Sequence, residues 1–507
     1  MLSDLHILVH SLNKREKQYF QRFASRHVIG EKNNYLKLFE AIRDQKQLDE
    51  GALNGLFRGQ NLYLLKRHLQ NSILKALRSF NAPSSVSIQV HSMIDEIEVL
   101  HKKGLTRAGL KLLHHAKKFA QRHEQHLALL QLMEWEIRLL HVPHKLIQSR
   151  RKFQNVFREE DEQMEFFRNF REVSRFRLDI IEYHNRAIVV KKQDEVKHRE
   201  IEKQITHLAR KKLSTKAQWQ LFNAGGVYFS TVGDFSRSSN YFSKATALFR
   251  HSGFLLADEM QQYLFSLYLQ SATAYNLKNH AEALRIVRIL HTSFSAMADF
   301  SKKKNLVELH LYSLMLESIL LLETGAFKKA LPVVAELKEQ MDIHLMEVHT
   351  TLRSEYFYQQ SIFWFCGGEF ARAQQFLNKI LQDPDSPREN ASHYCFARLM
   401  QLIILLELQE LRQIENLLPA TRKYLRRKGQ HYRIEDALLN FIAGYAKNEL
   451  TNKRKTPAEI FTPVKLQLLK IAKDPNEAKA FNVFDYISWL ESKIENIPLR
   501  DILGQRN

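Results

Sequence analysis

In "LALLQLMEWEIRLL" (127–140) and "IEKQITHLARKKL" (201–213), apolar residues return every third or fourth position, the period of an amphipathic helix. "NYLKLFEAI" and "NLYLLKRHLQNSILKALRSF" keep the same period. In "SLNKREKQYFQRFA", Tyr19, Phe20 and Phe23 form an aromatic face behind Asn13 and Glu16, whose three-residue spacing predicts a capping box. The period is interrupted most clearly by "NAPSSVSIQ" (81–89), with Pro83 and three serines, which reads as a linker. A second interruption, "ELTNKRKTPAEIFTPVKLQ", carries Pro457 and Pro463 ahead of two short helices ending on "DYISWLESKIENI". These breaks predict a helical N-terminal domain at 1–82, degenerate helical pairs at 90–216, clearer repeats at 217–430 and a helical C-terminal cap at 431–507.

The repeats are read from "FNAGGVYFSTVGDFSRSSNYFSKATAL" (222–248). With Gly233 at the turn of a helix hairpin, Phe222, Gly226 and Phe229 precede it by 11, 7 and 4 residues, and Phe235, Ser238, Phe242 and Ala245 follow by 2, 5, 9 and 12. Further copies place Gly325, with Ser318, Phe327 and Ala330, and Gly368, with Ser361, Phe370 and Ala373, at the same offsets. Lys278 occupies the turn in "SATAYNLKNHAEALRIVRIL", which keeps Ser271 and Ala283, and Gln409 occupies it in "LMQLIILLELQELRQIENLLPA". Upstream, Gly104 sets Ile97, Leu100, Gly109, Leu113 and Ala116 in register. The spacing resembles the tetratricopeptide repeat, although the interval from Ser238 to Ala283, Ala330, Ala373 and Ile414 runs at 45, 47, 43 and 41 residues instead of the family's ~34. The resemblance implies an all-α, right-handed α-solenoid, in which a small residue lets paired helices approach, an aromatic fills the gap and a glycine takes the turn. The arrangement as a whole resembles bacterial repeat proteins of no known activity.

Composition agrees with a helical reading: there are 16 Gly and 10 Pro in 507 residues, and the common residues are those that lose least on entering a helix. Charge is uneven. Residues 1–220 carry 41 Lys and Arg against 25 Asp and Glu, 221–420 carry 18 against 20, and 421–507 carry 17 against 10. The basic ends are where an electrostatic partner is expected. Cys366 and Cys395 lie in apolar stretches and read as free thiols of a reducing cytoplasm. The start of the chain shows no leader, and the run "LMQLIILLEL" is shorter than the ~18 residues of a bilayer span, so a cytoplasmic protein with no membrane partner is expected.

Candidate chemistry is sparse. His114, His115, His123, His126, His141 and His144 crowd one region, but "HEQH" is one residue short of the H-E-x-x-H zinc motif. No phosphate-binding, dinucleotide-binding, nucleophile-elbow or C-x-x-C motif occurs. The expectation is a protein that is not an enzyme and uses no metal and no cofactor.

Two kinds of partner remain. In a stacked array the first helix of each hairpin lines one face, which predicts a peptide groove of Gln220, Asn223, Phe265, Tyr268, Tyr275, Tyr312, Glu355, Tyr358 and Phe365. Aromatic anchors with a few amides suit a peptide or a partner helix. The alternative is a nucleic-acid- or ribosome-associated protein using its basic ends. Its candidate contacts are Lys66, Arg67, Lys75 and Arg78, on the second helix of a helix-turn-helix reading with its turn near Gly59; Arg150, Arg151 and Lys152; and Arg422, Arg426 and Arg427 with Lys423 and Lys428. Two further basic runs join them: Arg210, Lys211 and Lys212, and Lys453, Arg454 and Lys455.

Overall fold

The computed structural model describes residues 2–25, 34–45, 49–141, 146–187, 195–297, 303–385, 387, 391–427, 432–450, 456–474, 477–481 and 483–505. His144, Lys428, Lys453, Arg454 and Lys455 lie outside the described residues. Among the described residues every regular element is a helix, so the protein is all-α as expected. Compactness divides the chain into two units, one of Met1–Arg171 with Lys212–Lys216, the other of Glu172–Lys211 with Ala217–Asn507.

The first unit opens with α1 (Leu2–Ser11), α2 (Lys14–Ser25), α3 (Asn34–Asp44), α4 (Glu50–Leu56) and α5 (Leu62–Asn81). They close around Leu5, Val9, Phe20, Phe39, Leu69 and Ile73, and Phe20 and Phe39 meet ring to ring at 4.7 Å. The capping box forms as its spacing predicts: Glu16 N–H donates to Asn13 Oδ1 at 2.9 Å, and Asn13 N–H donates to a Glu16 carboxylate oxygen at 2.8 Å. The expected linker at 81–89 is mostly structured. A short 3₁₀ turn at Ala82–Ser84 leads directly into α6 (Val86–Lys102), whose first turn is capped by the Ser85 hydroxyl. Helices α6, α7 (Thr106–Arg122) and α8 (His126–Leu140) then pack on Val90, Ile97, Leu113, Ala116 and Leu132.

Where degenerate pairs were expected, the chain forms α9 (Leu146–Ala187), a single helix of 42 residues that contributes to both units. The reason is local: this stretch contains neither glycine nor proline, so nothing in it favours a turn over continued helix.

The second unit continues with α10 (Glu195–Ala209), followed by helix hairpins: α11 (Thr215–Thr231) with α12 (Phe235–His251), then, after the short α13 (Gly253–Asp258), α14 (Met260–Asn276) with α15 (His280–Ser295), α16 (Lys304–Glu323) with α17 (Phe327–His344), α18 (Thr350–Cys366) with α19 (Phe370–Leu381), and α20 (Ala391–Glu407) with α21 (Leu411–Arg427). Their turns share one geometry. The second residue after each first helix is left-handed, with φ of 84° at Gly233, 59° at Lys278, 68° at Gly325, 85° at Gly368 and 59° at Gln409. The next amide returns to the carbonyl five residues back at 2.8–2.9 Å: Asp234 to Phe229, Asn279 to Ala274, Ala326 to Leu321, Glu369 to Trp364 and Glu410 to Leu405. This is the six-to-one bond of a Schellman ending. Gly104 (φ 73°) ends α6 the same way, and so does Glu124 (φ 50°) at the end of α7, a turn the sequence reading missed because a glutamate stands there.

The small positions are as tightly packed as the spacing predicted. Ser238, Ser271, Ala283, Ala330, Ser361 and Ala373 are fully buried. A Cβ on Gly226 would lie 2.6 Å from the Phe242 ring, and one on Gly225 would lie 2.7 Å from Tyr241, so both glycines admit an aromatic of α12. First helices form a row: α14 packs on α16, α16 on α18, and α18 on α20. Among the described residues, α16 is the helix long and apolar enough to cross a bilayer, and 72% of that apolar window is buried within the protein.

The C-terminal part departs from a simple end cap. After α22 (Arg433–Leu450), α23 (Pro457–Ile471) runs through Pro463 without ending, started by a capping box of Thr456 and Glu459. The chain then turns back through α24 (Ala478–Phe481), α25 (Tyr486–Glu495) and α26 (Leu499–Gln505), and α26 packs on α16. There Gly504 and Gly325 meet backbone to backbone: a Cβ on Gly325 would fall 2.2 Å from Gly504 Cα.

Candidate functional site

The returning C-terminal segment and the row of first helices enclose a cavity of about 720 Å³. Its walls come from the end of α14 and the following turn (Tyr275, Lys278, His280), from α16 (Ser318, Ile319, Leu322, Glu323), from α18 (Glu355, Tyr358, Gln359, Ile362, Phe363, Cys366) and from α20 (His393, Phe396). The C-terminal segment supplies Phe481, Val483, Phe484, Asp485, Leu499 and Leu503. The spacing on α18 explains its share. Glu355, Tyr358, Gln359 and Ile362 recur at three and four, so one helix stripe faces the hollow.

One polar cluster in the wall gathers on Glu323, although His280 Nε2 has no hydrogen-bond partner among the described residues. The Tyr275 hydroxyl donates to Glu323 at 2.5 Å, while Lys278 Nζ and His280 Nε2 each stand 3.5 Å from the other Glu323 oxygen. Lys278 also sits over the Tyr275 ring at 5.2 Å, so its charge is shared between a carboxylate and an aromatic face. Burial, with the Glu323 charge beside it, holds the Tyr275 hydroxyl firmly protonated.

The second group is not matched. Glu355 has no hydrogen bond or ion pair among the described residues, and burial alone raises its carboxyl pKa to about 7. The buried Tyr358 hydroxyl and Gln359 Oε1 have no hydrogen-bond partner there either. Tyr358 is 5% exposed and its pKa is raised by burial. His393, whose ring lies edge-on to Tyr358 at 6.3 Å, has its pKa lowered by burial and stays neutral. Buried polar atoms are normally paired, so the stripe presents acceptors, and one hydroxyl that can also donate, to whatever enters.

Of the expected groove residues, Tyr275, Glu355 and Tyr358 line this cavity. Tyr268 and Tyr312 pair with ring centroids 5.8 Å apart, and both have their hydroxyl pKa raised by burial and by the nearby Glu355 charge. Phe265 is exposed. Phe365 is not available to a partner: it is 2% exposed and meets Phe484 of the chain's own C-terminal segment at 5.4 Å. Gln220 accepts a hydrogen bond from the Ser174 hydroxyl at 2.8 Å, and Asn223 is buried. Gln220 is half-buried, and the Asn223 Nδ2 has no hydrogen-bond partner among the described residues. Sequence reasoning missed Gln359, His280, Glu323, His393 and Phe484. Glu323 carried a signal, a carboxylate ending the apolar run 319–322 just before a turn, whereas Phe484 arrives by a long-range return that no local pattern announces.

The basic candidates fall on separate elements. Lys66, Arg67, Lys75 and Arg78 lie on α5, after a turn where Gly59 has φ 85°. Lys66 is half-buried, its ammonium pKa lowered by burial, and Arg78 pairs with Asp95 at 2.8 Å. Arg150, Arg151 and Lys152 are exposed near the start of α9. Lys211 and Lys212 pair with Glu172 and Glu162 respectively. On α21, Arg426 and Arg427 are exposed, while Arg422 donates to the Asn440 side chain at 2.9 Å. Neither cysteine is in a disulfide, Cys366 being buried and Cys395 half-buried. Among the described residues no group of three or more histidine, cysteine or acidic side chains could hold a metal ion.

No protein-family model matches the sequence, and no curated protein is similar enough to count as a relative.

Proposed function

We propose that this chain is a non-catalytic protein-interaction module: a right-handed α-solenoid of tetratricopeptide-like hairpins, working in the cytoplasm, whose row of first helices receives a segment of a partner protein. The observation that supports this reading is the cavity on that row, apolar over most of its wall yet holding the unpaired Tyr358 hydroxyl and Gln359 carbonyl. Its volume lies within the 300–1,000 Å³ usual for specific pockets, and a few convergent polar groups in an apolar wall are what fix the orientation of a ligand. The C-terminal segment forms one side of the cavity. On this reading a partner inserts a side chain or a chain end.

The test is site-specific photo-crosslinking in cells. A photoreactive phenylalanine at Phe265, exposed on α14, should capture defined proteins, and Ile319→Trp, which fills the cavity from α16, should abolish that capture. Identical products with and without the filling substitution would remove the reading.

A second reading, nucleic-acid association, draws on the α4–turn–α5 hairpin, where Arg67, Lys75 and Arg78 are exposed. Such contacts with phosphate would appear as affinity that falls steeply with salt.

A further inference from the structure

On the α18 stripe every unmatched group can accept: Gln359 Oε1 is an acceptor, a Glu355 carboxylate is an acceptor with charge, and the Tyr358 hydroxyl can serve as either. His280 Nε2, on α15, also lacks a hydrogen-bond partner and stands 3.5 Å from Glu323. The cavity's one ammonium, Lys278, is already engaged by Glu323. Around these acceptors stand the aromatic rings of Phe363, Phe396 and Phe484. Acceptors, an unpaired carboxylate and aromatic faces together favour a cation with an apolar stem.

We infer that the cavity recognises a lysine or arginine side chain of the partner segment, flanked by apolar residues, with the cationic head at Glu355, Tyr358 and Gln359 and the stem along the aromatic wall. This rests on the reading of the chain as a protein-interaction module and names what that module selects. An acidic segment fits poorly, because Lys278 stands 3.5 Å from Glu323 and an entering carboxylate would meet Glu355. A neutral apolar segment would leave the acceptors buried and unpaired, which carries a desolvation penalty.

The experiment pans a random twelve-residue peptide library against the full-length chain, then measures the enriched peptides by fluorescence anisotropy. Enrichment of peptides holding a Lys or Arg beside apolar residues is expected. Exchanging that residue for norleucine should weaken binding at least tenfold, and Glu355→Gln should weaken the parent peptide to a similar degree while leaving the norleucine peptide unchanged. Tyr358→Phe, which keeps the ring and removes only the hydroxyl, should weaken the parent peptide several-fold and provides a second readout should Glu355→Gln fold poorly. If no peptide is enriched over a chain filled by Ile319→Trp, the interaction-module reading itself fails. If peptides are enriched but are acidic or uncharged, or bind Glu355→Gln as tightly as the native chain, that reading stands and the assignment of a cationic side chain is overturned.

Discussion

Replacing Glu355 by glutamine isolates the cost of keeping a carboxylate in the cavity wall. Burial raises its pKa from 4.5 to about 7, and no cation or donor acts in the opposite direction. Because the folded value is above the unfolded one, the folded chain binds the proton more tightly. The group's contribution is complete below pH 4.5 and is lost as the pH rises through about 7. At 1.36 kcal/mol per pKa unit, the loss amounts to about 3 kcal/mol once the group is fully ionised. Glutamine stays neutral throughout, so E355Q should be more stable than the native chain by about 1.4 kcal/mol at about pH 5.5 and by about 3 kcal/mol at about pH 8. The assay is urea unfolding at both pH values, followed by tryptophan fluorescence, with Trp364 and Trp489 buried in the same unit as Glu355. A difference between the two chains that does not grow with pH would refute the argument, since it would mean that folded Glu355 has found a compensating partner.

Three further outcomes follow from packing and turn geometry. Gly226→Ala should lower stability by about 1–3 kcal/mol in the same unfolding assay, because its Cβ would press on the buried Phe242 ring at 2.6 Å. Gln409→Gly should raise stability by about 0.5–1 kcal/mol, since the residue is held at φ 59° where glycine carries no Cβ penalty; an unchanged or lowered midpoint would count against the shared turn geometry. Trp489→Phe removes the indole N–H that donates to the buried Glu407 at 2.7 Å, and should cost about 1–3 kcal/mol by leaving that carboxylate short of a donor. For the nucleic-acid reading, Arg67→Ala combined with Arg78→Ala should weaken binding to mixed-sequence duplex DNA and flatten its salt dependence in a filter-binding titration. Binding that ignores salt would remove that reading.

The hairpins were legible because each is written twice in the sequence, once as a helical period and once as a break in it. Gly233, Gly325 and Gly368 marked their turns through a backbone need that few residues meet, and the register they set was strong enough to find Lys278 and Gln409, which take the same left-handed conformation without being glycine. Glu124 takes it too, but with no small residues in register beside it the turn passed unnoticed. The 42-residue helix was readable only in the negative, as a stretch without breakers. Counting absent turn signals would have found it, whereas looking for weak repeats imposed turns that the residues do not support.

The site was less legible than the repeats for a physical reason. Helical spacing assigned Tyr275, Glu355 and Tyr358 to one face of the row, but whether that face is open depends on what returns to cover it. The covering segment buries Phe484, Tyr486, Trp489, Leu490 and Leu503, and apolar burial of about 1.5–3 kcal/mol for a large side chain holds it against the row. Gly504 against Gly325 fixes where that wall meets α16. The turn glycine therefore has two functions: it closes the third hairpin and admits the C-terminal helix close to α16, beside the cavity. A Gly325→Ala chain would strain both at once, the left-handed turn and the contact with Gly504. It should therefore lose peptide affinity more sharply than Gly368→Ala, whose left-handed turn has open space around it. Equal effects in the anisotropy measurement would show that the C-terminal wall does not shape the site.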